Sequence, residues 1–303
     1  MNRIYAHLVL MRPANIITAI ADIMLGFAAS GSVTLLMQQG GFSAAHPQLQ
    51  LLYWLIAATI GLYGGGVVFN DVFDADLDRV ERPERPIPSG AATRLSATVL
   101  GAALLIFGIA AAFQVSVLSG SLAVLVAILA LVYDAIGKHH SILGPINMGA
   151  CRGGNLLLGI SAVPAAVSVY WYLALIPIVY ISAITIISRG EVHGGDKRIL
   201  LGALFLYFLV IGSILGLMRL QQYQILYAMP FLFLFTYLIF PPLLKAIKTL
   251  EAPHIRLAVK AGVIALIMLD ATIAAGFAGW WYGLIILALF PISRFLAKQF
   301  AVT

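Results

Sequence analysis

Residues 51–90 read LLYWLIAATIGLYGGGVVFNDVFDADLDRVERPERPIPSG, and residues 51–70 carry no ionisable charge. An apolar run of this length crosses the roughly 30 Å hydrocarbon core of a bilayer as one helix. At Asn70 the character changes. Six of the 12 acidic residues follow in one short stretch: Asp71, Asp74, Asp76, Asp78, Glu81 and Glu84. If the helix continues, Asp71, Asp74 and Asp78 stand at i, i+3 and i+7 on one face with Asn70 at its edge, and Asp76 points away. Three carboxylates on one stripe repel one another unless a cation joins them, and oxygen donors of this kind suit Mg²⁺. Arg82-Pro83-Glu84-Arg85-Pro86-Ile87-Pro88-Ser89-Gly90 comes next; its prolines stop the helix and its arginines offer forked donors to phosphate oxygens. A divalent ion on carboxylates beside arginines is a grip for a diphosphate.

Working outward, the 303 residues are 62% apolar and 10% charged, with a mean hydropathy of +1.01. Those values describe an integral membrane protein and exclude a receptor ectodomain, a soluble Rossmann enzyme or a disulfide scaffold. The expectation is an all-α, polytopic transmembrane bundle in a single domain over 1–303. Spans are placed near 14–36, 49–70, 92–113, 119–136, 144–165, 170–188, 199–218, 223–245, 257–278 and 281–297. The first apolar run is too long for a signal-peptide core and reads as an uncleaved span. Cys151 is the only cysteine, so neither a disulfide nor a thiolate metal site is available.

The basic residues sort by position. With these spans, every Lys and Arg except Arg219 falls on one side of the bundle, which the positive-inside rule makes cytoplasmic, with both termini there. The net charge of +6 is then a topological signal and not a nucleic-acid surface. The diphosphate mouth faces the cytoplasm, and the expected home is a bacterial inner membrane.

Asn70-Asp71-Val72-Phe73-Asp74-Ala75-Asp76-Leu77-Asp78 followed by Arg85-Pro86-Ile87-Pro88-Ser89-Gly90 resembles the first signature of the UbiA superfamily of intramembrane prenyltransferases, NDxxDxxxD and then RPxPSG. A second block, Tyr133, Lys138 and Gly144 with Asn147 and Gly149, is similar to that family's YxxxxK and glycine-rich stretch. Within the superfamily, Arg12-Pro13-Ala14-Asn15, Cys151-Arg152-Gly153-Gly154-Asn155, the 188–195 block and the terminal Phe300-Ala301-Val302-Thr303 look like EboC-type proteins. The family generally has nine spans, and the charge distribution adds a short tenth at the C-terminus.

The resemblance implies Mg²⁺-dependent transfer of a prenyl group from an allylic isoprenyl diphosphate to an aromatic or otherwise electron-rich small-molecule acceptor, with membrane lipid around the protein. Asp71, Asp74 and Asp78 would hold the metal. Asn15, Asn70, Arg85, Tyr133, Arg152 and Asn155 would bind substrate, and Lys138 would join the acids in catalysis. The aromatic rings of Tyr63, Phe69 and Tyr133 are candidates to face a carbocation. The chain departs from the family after span six: a second aspartate-rich motif is replaced by Glu191 and Asp196, which would complete a second metal site, and the proton acceptor, only if a folded-back loop brought them together with His193. A non-catalytic component that binds or exports a prenylated metabolite is the competing reading, favoured by that degenerate motif.

Charges inside spans are functional candidates by default. Asp22 shares a stripe with Arg12, Asn15 and Gly26, and is expected to meet Lys138, a guanidinium or Asn15. Arg152 shares a face with Asn155 and Gly159. Asp270 is read chiefly as an internal pairing residue. His139, His140 and His254 sit at span ends without metal-ligand spacing.

Overall fold

The computed structural model describes residues 2–39, 46–191 and 194–300. Regular structure among them is entirely helical. In chain order the α-helices are α1 (Arg3–Met11), α2 (Pro13–Ala29), α3 (Ser32–Gln38), α4 (Pro47–Phe73), α5 (Ala75–Glu81), α6 (Arg94–Phe113), α7 (Val117–Ala135) and α8 (Leu143–Ile160), followed by α9 (Pro164–Tyr170), α10 (Leu175–Ser188), α11 (Lys197–Gly216), α12 (Ile225–Thr249), α13 (Ala252–Ile264), α14 (Leu266–Ala278), α15 (Trp280–Leu287) and α16 (Leu289–Gln299). Helices are what a chain must form in lipid, because every backbone donor and acceptor then finds its partner within its own segment.

The first span differs from the single segment expected over 14–36. Arg12 adopts a left-handed backbone (φ 47°, ψ 66°) between α1 and α2, and Gly31 (φ 83°) separates α2 from α3. Pro13 follows Arg12 at the first position of α2, where its missing N–H costs no hydrogen bond. The break leaves the Arg12 side chain at the helix junction.

Among the described residues, nine helical segments are long and apolar enough to cross a membrane, and they include Trp280–Gln299 at the C-terminus. α8 is not one of them, because Asn147, Arg152 and Asn155 lower its hydropathy. It nevertheless packs against α2, α7 and α10 in the middle of the bundle. With α8 added to those nine, ten helical segments among the described residues are candidates to cross. α1 and the end of α16 lie together: the Tyr5 hydroxyl donates to the Gln299 carbonyl at 2.6 Å, and its ring stacks on Phe300 with centroids 5.5 Å apart.

Close approach at the centre depends on glycine. A Cβ on Gly26 of α2 would lie 2.4 Å from the Leu156 carbonyl oxygen of α8, and one on Gly159 of α8 would lie 2.6 Å from the Ile23 carbonyl oxygen of α2. Small residues at such a crossing are the usual means of helix association in lipid, where apolar burial gives no drive. The α2–α8 contact sets the spacing of Asp22, Arg152 and Asn155.

Candidate active site

The acid stripe forms as its spacing predicts. α4 ends at Phe73, but the Asp74 N–H donates to the Asn70 carbonyl at 3.0 Å and the Asp78 N–H to the Asp74 carbonyl at 2.8 Å, so the helical turn runs through into α5. Asp71 and Asp78 are buried. Arg85 Nη1 donates to Asp78 Oδ2 at 2.8 Å and to Asp71 Oδ1 at 3.4 Å. Arg12 Nη2 donates to the same Asp71 oxygen at 2.6 Å, and Lys138 Nζ pairs with Asp74. Asp76 points the other way, with its side chain 67% exposed between Arg79 and Arg94, each at 3.2 Å. Three cations from three separate parts of the chain thus converge on one face of acids.

The loop that delivers Arg85 is anchored by Ile87, which is buried in a small core with Leu10 of α1, Val68 and Val72 of α4 and Ala97 of α6. The Ser89 N–H donates to the Arg85 carbonyl at 3.0 Å and the Ala92 N–H to the Pro86 carbonyl at 2.9 Å. Two fixed prolines and these turns hold the guanidinium over the acids at little entropic cost.

Behind the mouth lies a cavity of ≈ 320 Å³. Arg12, Asn15, Asn70, Tyr133 and Asp134 line its outer end, while Thr18, Tyr63, Arg152 and Asn155 line its inner end. Tyr63 and Asn70 are seven residues apart on α4, so the two ends are separated by about 10 Å of helical rise. Apolar side chains from α4, α7, α10, α13 and α14 form the wall between, Leu62, Val126, Ile184 and Leu266 among them. Of the three candidate aromatics, Tyr63 and Tyr133 reach the cavity. Phe69 does not; it packs on the α6 side against Gly101 and beside Phe73.

The inner end is a buried polar network in which Arg152 Nε and Asp270 Oδ2 have no hydrogen-bond partner among the described residues. Arg152 is 4% exposed; it donates to Asp22 Oδ1 at 3.0 Å, to the Thr18 carbonyl at 3.0 Å and to Thr18 Oγ1 at 3.1 Å. Its guanidinium carbon lies 5.9 Å from the Tyr63 ring centroid. Asn155 Nδ2 donates to Asp22 Oδ2 at 3.0 Å and to the Ala19 carbonyl at 2.9 Å, and its Oδ1 accepts from the Thr59 hydroxyl at 2.7 Å. Asp270 is buried beside Asp22. Of the partners considered for Asp22, the structure selects a guanidinium. Arg152 faces α2 and does not snorkel to the interface.

The second loop behaves differently from the first. The Asp196 carboxylate caps α11 by accepting from the Arg198 N–H at 2.7 Å. The Glu191 carbonyl accepts from Arg256 Nε at 3.0 Å. Burial raises the Glu191 carboxyl above its ordinary pKa, against opposing pulls from Arg256 and then Arg82, so this acid is within electrostatic reach of the first loop. His193 lies outside the described residues, as do the terminal Ala301, Val302 and Thr303. The His140 ring accepts from the N–H groups of Ile142 and Leu143 at the start of α8, and His254 lies 3.2 Å from Glu251. No three His, Cys, Asp or Glu side chains among the described residues stand together closely enough to hold one ion. Basic groups separate the acids of the mouth, although the donor set of hard carboxylate oxygens on one face fits Mg²⁺ by its chemistry.

Two positions of the candidate site were not singled out from the sequence as site residues. Arg12 is nearer to Asp71, at 2.6 Å, than Arg85 is, and Asp134 lines the cavity while accepting from Asn70 Nδ2 at 2.8 Å. The signal for Asp134 is its place beside Tyr133 at the end of an otherwise uncharged span.

The sequence profile of the UbiA prenyltransferase family matches residues 24–247. The chain belongs to that family. A digeranylgeranylglyceryl phosphate synthase of Ignicoccus hospitalis is 30% identical over 202 residues, 65% of this chain and 62% of that protein. The chain thus spans less than two thirds of the length of the curated relatives it matches, 56% of the one from Methanothrix thermoacetophila. A solved structure from work on digeranylgeranylglyceryl phosphate synthase in membranes superposes with a TM-score of 0.67 at 21% identity, covering 92% of this chain and 99% of that one. A UbiA homolog from Archaeoglobus fulgidus bound to GPP and Mg²⁺ gives 0.59 at 14% identity, covering 93% and 99%. At these identities the likeness is one of fold: the bundle described above is the UbiA fold in a multi-pass integral membrane protein.

Proposed function

We propose that the chain transfers a prenyl group from an allylic isoprenyl diphosphate to a nucleophilic acceptor held in the cavity, with its mouth on the cytoplasmic side of a prokaryotic cell membrane. The observation that carries this reading is the convergence of Arg12, Arg85 and Lys138 on one stripe of acids at the open end of a largely apolar cavity. Asp71, Asp74 and Asp78 are the residues that would hold Mg²⁺, and the ion, when bound, neutralises diphosphate charge. Glu191 and Asp196 remain the candidates for a second ion, with Asp196 already engaged as a helix cap.

Arg85 and Lys138 donate to the oxygens of the diphosphate and stabilise the charge that develops as it leaves, with Arg12 beside them. Asn70 orients the diphosphate from the edge of the stripe. The allylic group points inward, where the apolar wall excludes water and the rings of Tyr63 and Tyr133 stabilise positive charge. Asn15 lines the outer end with Asn70, and Arg152 and Asn155 form the polar floor against which the acceptor is positioned. Both an electron-rich aromatic and the alcohol of a prenylated glyceryl phosphate satisfy this chemistry; the product named for the relatives favours the alcohol.

The test is to incubate the purified full-length protein with Mg²⁺, labelled geranyl diphosphate and both acceptor classes, and to follow prenylated product by mass spectrometry. Product that disappears with Asp71→Ala supports the transferase. Binding of geranyl diphosphate without turnover on any acceptor supports the carrier reading, which the engaged second motif favours.

A further inference from the structure

We infer that Asp134 is the base that takes the acceptor's proton, an inference that rests on the prenyl-transfer reading. Among the described residues, Asp134 is the one carboxylate that lines the cavity. It is 4% exposed at the C-terminal end of α7, and its Oδ1 is fixed by the Asn70 amide at 2.8 Å. Its Oδ2 takes no hydrogen bond from the described residues and is not sealed by them, which leaves it open to the cavity. No cation forms an ion pair with it, because Lys138 is held by Asp74 and Arg12 by Asp71.

The other acids are otherwise committed. Asp71 and Asp78 face Arg85, and Asp196 caps α11. Asp22 stands behind Arg152, with Asp270 beside it, and neither reaches the cavity wall. Glu191 belongs to the surface loop and does not line the cavity. A carboxylate that lines the outer end of the cavity, beside the place assigned to the diphosphate, and is held only by a neutral amide keeps the lone pair that a base requires.

The step balances without a further reagent. The allylic C–O bond breaks and its electron pair leaves on the diphosphate. The acceptor's nucleophilic atom gives a pair to the allylic carbon, and the proton it then carries passes to Asp134 Oδ2. Asn70 is the positioning residue that aims this oxygen.

The experiment follows diphosphate release and prenylated product separately in full-length wild type, Asp134→Asn and Asp134→Glu, with Mg²⁺ and labelled geranyl diphosphate. Two acceptors are compared: a monoprenyl glyceryl phosphate, which must lose an alcohol proton, and a thiophenol, which is already ionised at neutral pH. With the alcohol, Asp134→Asn is expected to lose product by about 10²–10⁴-fold, the usual contribution of a general base. Diphosphate release continues and diverts the prenyl group to water. The thiophenolate restores product, and Asp134→Glu keeps part of the alcohol reaction. Undiminished alcohol product in Asp134→Asn overturns the inference, and so does loss of diphosphate release with both acceptors, which would make Asp134 part of the donor grip. A wild type that releases no diphosphate with either acceptor removes the prenyl-transfer reading itself.

Discussion

Two sets of ion pairs flank the same cavity from opposite ends, with Arg12 lining it at one and Arg152 at the other, and they are built differently. At the mouth, Arg12, Arg85 and Lys138 come from a helix break, a proline loop and a segment after α7, and on the proposed reading each exchanges its carboxylate for a ligand. At the floor, Arg152 and Asp22 sit inside α8 and α2 and are bonded to each other and, through Thr18, Ala19 and Asn155, across the helix contact, while Arg152 Nε and Asp270 Oδ2 are buried without a partner among the described residues. An ion pair on independent arms is a binding device. One on two helices in glycine contact is a fastening, because moving either charge means separating the helices.

The largest effect expected from this contrast is at the floor. Asp22→Ala leaves the Arg152 guanidinium buried without its counter-charge and should cost about 3–5 kcal/mol of stability. A thermal melt of the detergent-purified protein should show the loss, and combining Asp22→Asn with Arg152→Met should recover much of it. An unchanged melt for Asp22→Ala would break the comparison.

At the mouth, Arg85→Ala should lower diphosphate release by about 10²–10³-fold, as for loss of one preorganised donor to a developing anion. Its melt should move less than that of Asp22→Ala, because Arg12 still accompanies Asp71 and Asp78, which loses its Arg85 partner, lies beyond the apolar span where water can replace the guanidinium. Equal destabilisation by the two variants would make the mouth a fastening too.

Asp196→Ala sharpens the contrast between the two loops. Loss of the α11 cap should cost about 1 kcal/mol and leave turnover near wild type. A collapse of Mg²⁺-dependent turnover with an intact melt would instead give the second loop a metal.

The fold was readable because hydropathy and charge position act on whole segments. Residues 51–70 demanded a span, and the i, i+3, i+7 acids demanded a shared face whichever way the bundle closed. Asp76 was read as turned away, and it is. Other features depended on tertiary partners that no local pattern names. α8 is legible as a span over 144–165, but the groups that make its polar residues tolerable there lie on other helices: Asp22 and Thr18 meet Arg152, and Asp22 and Thr59 meet Asn155. The partner of Asp22 was open among several groups until the α2–α8 glycine contact brought Arg152 opposite it. Arg12 met Asp71 only through a left-handed residue between two helices, and Asp134 gained meaning only when the cavity placed it opposite Asn70.

On the proposed reading, the buried acids of the mouth, and not the acidic stretch as a whole, govern the donor diphosphate. The most direct measurement is Mg²⁺-dependent release of diphosphate from labelled geranyl diphosphate by Asp71→Ala beside Asp76→Ala, two substitutions in one stretch that remove the same charge. Asp71→Ala should abolish release, while Asp76→Ala, which loses only exposed ion pairs, should match wild type. Equal activity in the two variants would contradict that reading.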